Sequence, residues 1–198
     1  GGTLCTKLGY DQTTTDFTQV VGSIMSAECT SVVLVSYAAD GGMIVDEMAL
    51  QDYVGQIYGG DGVAEEGLAL GATSSVDGVI ATKPAAAGMS VTGQTFAYLC
   101  GSNEACAGGI YTAEAFDAVV VMALASFASL STPGVSLSLM IQATGQGIEG
   151  ASGDISFMPN GEVSGTGYCV GLFSGDSAGA ASFDCTRFWD PVNGLTDV

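Results

Sequence analysis

The sequence predicts an α/β fold with a parallel sheet flanked by helices, and three observations carry that prediction. Apolar residues at Phe17, Val20, Val21, Ile24 and Met25 follow the i, i+3, i+4, i+7, i+8 spacing of an amphipathic helix. Ser31–Tyr37 (Ser-Val-Val-Leu-Val-Ser-Tyr) is a β-branched run bounded by polar residues, the signature of a strand buried on both faces. The two kinds of segment then keep alternating, which is the pattern of consecutive βαβ units.

Taken in order, Thr3–Tyr10 has strand character and ends in the polar run Asp11–Thr15, where Asp or Thr is placed to cap the first helix. After the strand at 31–37, Asp40-Gly41-Gly42 opens a second helix through Met43, Ile44, Glu47, Met48 and Leu50. A short strand at Gly55–Tyr58 runs into Gly59-Gly60-Asp61-Gly62, followed by a short helix near Val63–Leu70 and a strand at Asp77–Thr82. A helical stretch near Thr92–Leu99 leads into the loop Cys100–Cys106. The best helix spans Thr112 to about Leu130, with Phe116, Val119, Val120, Ala123, Leu124 and Phe127 on one stripe, and another follows the Pro133-Gly134 break over Val135–Gln142. Ile155–Met158 and Tyr168–Phe173 read as two strands joined by a Pro159-Asn160-Gly161 turn, and the remainder is a Gly, Ser and Ala rich tail that becomes aromatic at Phe183, Phe188 and Trp189.

Composition removes most function classes. Among 198 residues, 21 are acidic and 3 basic, for a formal charge of −18, so nucleic acid is excluded as a partner because binding it requires Lys and Arg to displace counterions. Charged residues are only 12% and hydrophobic ones 47%, which marks a packed acidic domain and not a disordered tail. There is no histidine, which eliminates Ser-His-Asp and Cys-His nucleophiles, HExxH sites and His-containing zinc sites. No cofactor motif and no metal site are expected, and no loop has EF-hand spacing, so Asp46-Glu47 and Glu65-Glu66 read as solvated acidic faces. Nothing points to an enzyme.

Six cysteines, Cys5, Cys29, Cys100, Cys106, Cys169 and Cys185, include no CxxC pair. They read as disulfides of an oxidising compartment, periplasmic or extracellular, the other reading being buried thiols. Proximity in sequence favours Cys100–Cys106 and Cys169–Cys185, leaving Cys5–Cys29. The longest apolar stretch, Ala118–Leu130, is short for a membrane span, and the opening Gly1-Gly2 suggests either a removed signal peptide or a start inside a longer protein.

A series of stretches in order resembles the solute-binding proteins of branched-chain amino acid ABC transporters, of the type I periplasmic binding protein fold. They are Thr15-Asp16-Phe17, Val32–Gly41 (Val-Val-Leu-Val-Ser-Tyr-Ala-Ala-Asp-Gly), Tyr58-Gly-Gly-Asp61-Gly62, Asp77-Gly-Val79, Tyr111–Ala118 (Tyr-Thr-Ala-Glu-Ala-Phe-Asp-Ala) and Glu149–Gly161 (Glu-Gly-Ala-Ser-Gly-Asp-Ile-Ser-Phe-Met-Pro-Asn-Gly). The resemblance runs from about Gly2 to Phe173. It implies a binding protein about twice as long, with two αβ lobes and a solute held in the cleft between them. On that alignment, residues 1–106 are the second lobe, 107–167 the segment returning to the first lobe, and 168–198 a C-terminal strand and tail. The amino-terminal half of the first lobe has no counterpart, so the helix at 112–130 would expose an apolar stripe unless a longer chain or another chain covers it.

The resemblance also implies a ligand-binding set. An aromatic residue after one strand and an acidic residue in the next strand's loop match Tyr37 and Asp61, with Tyr58 and Asp40 near the same strand ends. An acidic side chain suits an ammonium group and an aromatic ring adds cation–π or apolar contact. Asp61 is one methylene shorter than the family's usual Glu, and Tyr58-Gly-Gly lacks its usual Pro. The structural alternatives are that Asp61 and Asp40 cap helices and Tyr37 fills space. The implied ligand is a small amino acid or related solute, and the implied partner a membrane permease. A structural or sensory module of an extracellular assembly, with self-association, is the other reading.

Overall fold

The computed structural model describes residues 2–73, 76–84, 90–103, 106, 111–163, 167–175, 181–190 and 193–197. The chain forms two compact units: Gly1–Lys83 with Val170–Arg187 and Asp197–Val198, and Pro84–Cys169 with Phe188–Thr196. The first division between them falls at 83/84.

In the first unit, the spacing that began at Phe17 produces α1 (Thr18–Ser26), whose Val21 and Ile24 are buried. Asp16 accepts a hydrogen bond from the Thr18 amide at 3.0 Å, one residue outside the Phe17 cap. The chain continues through β1 (Ser31–Leu34), α2 (Ala38–Leu50) and β2 (Gln56–Gly59). A 3-10 turn at Asp61–Val63 leads to α3 (Gly67–Gly71) and β3 (Ile80–Pro84). β1 pairs with β2 in parallel, Ser31 opposite Gln56 and Leu34 opposite Gly59, and β2 pairs with β3 in parallel. One core holds Phe17, Val21, Ile24, Leu34, Ile44, Met48, Val63 and Leu68 together with Ala81 and Phe173. Each large side chain so buried contributes about 1.5–3 kcal/mol of transfer free energy.

Two sequence expectations change here. β1 is not buried on both faces: Leu34 is in the core, whereas Val33 is 69% and Val35 91% exposed. In this edge strand the side chains alternate in environment, those on one face sheltered and those on the other exposed. Thr3–Tyr10 forms no strand; it is an irregular, largely exposed segment.

The second unit contains α4 (Val91–Gly101), α5 (Thr112–Ser129) and α6 (Leu137–Thr144), then the short antiparallel pair β4 (Ile148–Glu149) and β5 (Asp154–Ile155). Ser90 and Ser136 cap α4 and α6, accepting from the Gly93 and Leu139 amides. The Asn160-Gly161 turn is real, with Gly161 at φ 89°, but it closes a bridge between Phe157 and Val163 instead of joining two long strands. The Gly, Ser and Ala rich tail contains β7 (Ser182–Asp190) and β8 (Gly194–Asp197), which follow β6 (Tyr168–Ser174). The mixed six-stranded order is β1-β2-β3-β6-β7-β8.

α5 is held by a polar contact that the apolar pattern conceals. Asp117 is 5% exposed and accepts from the Ala151 amide at 2.7 Å, the Ser152 amide at 2.8 Å and the Ser152 hydroxyl at 2.7 Å. A side chain on Gly150 would collide with the Asp117 carboxylate. With Ala113, Val121 and Ala125, Asp117 makes the buried stripe of α5; Val119 is 61% and Phe127 75% exposed. At 18 residues and mean hydropathy 1.4, the helix is long and apolar enough to cross a membrane, contrary to the expectation from sequence. The bonded carboxylate in its second turn fits packing against the 150–153 loop.

The cysteines are all disulfide-bonded: Cys5–Cys29 and Cys100–Cys106 pair as proximity and elimination suggested, and Cys169 and Cys185 are both bonded.

α1 and α2 end in the same way. After each last turn an acidic residue takes the left-handed conformation that usually belongs to glycine, Glu28 at φ 51° and Asp52 at φ 56°. Backbone strain and a negative charge at the negative end of the helix dipole both oppose these choices. Glu28→Gly is expected to raise stability by roughly 1 kcal/mol, read as a higher urea midpoint with unchanged slope; an unchanged or lower midpoint would contradict the strain.

Candidate functional site

Parallel pairing in register ends β1 and β2 at the same level, so the loops that follow lie side by side. After β1 come Val35, Ser36 and Tyr37, and Tyr37 is the cap residue just before α2. After β2 come Gly60, Asp61 and Gly62. A Cβ on Gly62 would stand 2.5 Å from the Ser36 carbonyl oxygen, so only glycine allows the second loop to close on the first.

The two loops line a depression of about 430 Å³ with Leu8, Gly9, Tyr10, Gln12, Val35, Ser36, Tyr37, Asp40, Gly60, Asp61 and Gly62. Three of the four candidate residues named from the sequence therefore meet: Tyr37 and Asp61, which the resemblance implies, and Asp40, named for its place near the same strand ends. Tyr58 does not join them, because it alternates with the buried Gly59 and sits in the sheet-face row with Val33 and Ile80.

Tyr37 is 73% exposed, so it does not fill a core space. Asp61 is the first residue of its 3-10 turn, whose cap is Gly60, and Asp40 lies in the first turn of α2, whose cap is Tyr37. Neither aspartate is therefore a capping residue, although Asp40 is favoured by the helix dipole. Asp40 accepts from the Tyr10 hydroxyl at 3.4 Å, and that hydroxyl is 2.5 Å from the Ser36 hydroxyl. Among the described residues, the lining contains two carboxylates and no Lys or Arg. An arrangement of this kind can attract and hydrogen-bond a cationic donor.

The sequence reading missed Tyr10, Gln12 and Ser36. The available signal was their position: Ser36 directly precedes Tyr37, and Tyr10 ends the segment leading into Asp11-Gln12. Asp46, read as part of a solvated face, instead accepts from the Thr73 amide and hydroxyl, each at 2.8 Å. Among the described residues, no group of three or more acidic or cysteine side chains could hold a metal ion.

The second unit has its own cavity of about 600 Å³, lined by α5 residues Glu114, Asp117, Val121 and Met122 with Ile141, Ile155, Phe157 and Tyr168. Burial, helped by the negative charge of Asp117, pushes the Glu114 carboxyl above the ordinary 4.5.

No protein-family model matches the sequence, and no curated protein matches it. Solved structures do. A leucine-binding protein from Thermotoga maritima superposes with a TM-score of 0.72 at 18% identity, over 92% of this chain and 51% of that one. A type 1 periplasmic binding protein from Bordetella pertussis gives 0.73 at 15%, over 89% and 51%. A solute-binding protein of an ABC transporter from R. palustris, solved with benzoate, gives 0.66 at 10%, over 95% and 49%. The chain thus has the α/β fold of type I periplasmic binding proteins and spans about half the length of the proteins it matches. Many of these neighbours are the branched-chain amino acid binding proteins that the sequence motifs resemble.

The Glu114 shift has a sign that can be checked. Its carboxyl binds a proton more tightly folded than unfolded, so its contribution to stability is complete below pH 4.5 and is lost as pH rises through the elevated folded value. Glu114→Gln should match the parent at low pH and exceed it at pH 7 in thermal melts. Equal pH profiles for the two proteins would contradict the assignment.

Proposed function

We propose that this chain is part of an extracytoplasmic solute-binding protein that holds a small amino acid or related solute, without chemistry of its own, for an ABC-transporter permease. The observation that carries the reading is the meeting of Tyr37, Asp40 and Asp61 at the carboxyl ends of two parallel strands, where such sheets bind ligands. The neighbours' bound or named ligands, leucine and benzoate, are small organic molecules, which supports a small-molecule partner. The disulfides support a periplasmic or extracellular location.

In this reading Asp61 and Asp40 take the ammonium end of the solute and the Tyr37 ring packs beside it. The remaining recognition, including donors for a carboxylate, falls to surfaces that this depression does not provide. The exposed apolar residues of α5 favour a second reading, a structural or sensory subunit that associates through that helix.

Calorimetric titration with a panel of L-amino acids and their amines separates the two. Binding by the parent and loss of at least tenfold affinity in Asp61→Ala support the transport reading. No binding, with concentration-dependent association that Asp61→Ala leaves intact, supports the structural one.

A further inference from the structure

We infer that the irregular segment Thr3–Gln12 is a fixed wall of the solute site, locked in place by Cys5–Cys29, and that Tyr10 is the positioning residue through which it acts. The inference rests on the reading of the depression as a solute site and adds an element and a residue that neither motif nor neighbour assigns.

Among the described residues the segment has no hydrogen-bonded ladder and no helix to keep it there, and its residues are mostly exposed, Leu4 at 78% and Leu8 at 41%. A stretch of this kind is expected to wander unless tied down. It is tied at two places that flank β1. At one end Cys5 is bonded to Cys29, just before the strand. At the other, the Tyr10 hydroxyl is 2.5 Å from Ser36 and 3.4 Å from Asp40, just after it, while the ring packs edge-on against Phe17 with centroids 5.1 Å apart. Between and beyond these ties the segment contributes Leu8, Gly9, Tyr10 and Gln12 to the depression.

The anchoring is functional in its geometry, because both polar partners of Tyr10 belong to the site. Ser36 lies in the loop that Gly62 closes against, and Asp40 is one of the two carboxylates. The phenol gives the Asp40 carboxylate a hydrogen-bond donor on the side of the segment, and holding a charged group before ligand arrives reduces the ordering cost of binding. Tyr10 thus acts on the solute through Asp40.

The test titrates the 198-residue chain with the panel member that binds it best. Tyr10→Phe keeps the ring on Phe17 and removes the hydroxyl; it should lose about tenfold in affinity, which corresponds to about 1.4 kcal/mol, with an unchanged melting temperature. The double variant Cys5→Ser/Cys29→Ser should lose affinity to a similar degree. In the parent, ligand should slow amide hydrogen exchange over residues 8–12, a measurement that does not depend on any variant folding. If Asp61→Ala loses binding while Tyr10→Phe and the double serine variant bind as the parent does, or if residues 8–12 gain no protection, the wall assignment is overturned and the site stands. If the parent binds nothing in the panel, the site reading fails and takes the wall with it.

Discussion

The feature on which the first unit depends is the parallel, in-register pairing of β1 with β2. Leu34 opposite Gly59 fixes where both strands stop, and therefore where Tyr37 and Asp61 emerge. The helix between them can make this crossover only because α2 lies close against α3: a Cβ on Gly42 would stand 2.6 Å from the Gly71 backbone. The same packing carries Val63 and Leu68 into the core beneath the site. A shift of one residue in this register would turn Leu34 outward and separate the two loops, so core burial and site geometry are secured by one set of contacts.

Much of this was legible in the sequence. The order of helices and strands from Phe17 to Thr82 follows from periodicity, and the glycines around Asp61 mark the place where loops approach. The failures have physical causes. A strand pattern at Thr3–Tyr10 states a preference for extended backbone, but a strand exists only when a neighbour accepts its hydrogen bonds, and none among the described residues does. Ser182–Asp190 was missed for the opposite reason: its mixed polar and aromatic residues alternate weakly, and pairing within the sheet supplies what propensity lacks. Tyr58 was placed in the site by adjacency in sequence, although adjacent strand residues point to opposite faces. Asp117 was hidden inside an apolar helix, since spacing cannot show that a loop at 150–152 supplies three donors.

The length relation to the structural neighbours agrees with how apolar surface is distributed. A chain with their fold over half their length retains faces that a full α/β layer would cover, and each unit shows one. In the first it is the Val33 and Tyr58 row of the sheet; in the second it is the outer surface of α5, where Phe116, Val119, Met122 and Phe127 are all at least 43% exposed. These residues have the composition of a core and the exposure of a surface.

The Cys5–Cys29 bond has a further consequence, in how the molecule answers a protease. Trypsin cuts after Lys and Arg, and the chain offers only Lys7, Lys83 and Arg187, the second of them protected by Pro84. Lys7 lies in the exposed irregular segment and is open to cleavage. A cut there frees no fragment, because the peptide that ends at Lys7 contains Cys5 and stays bonded to Cys29. The nicked protein would migrate intact until a reductant is added, with a new amino terminus at Leu8.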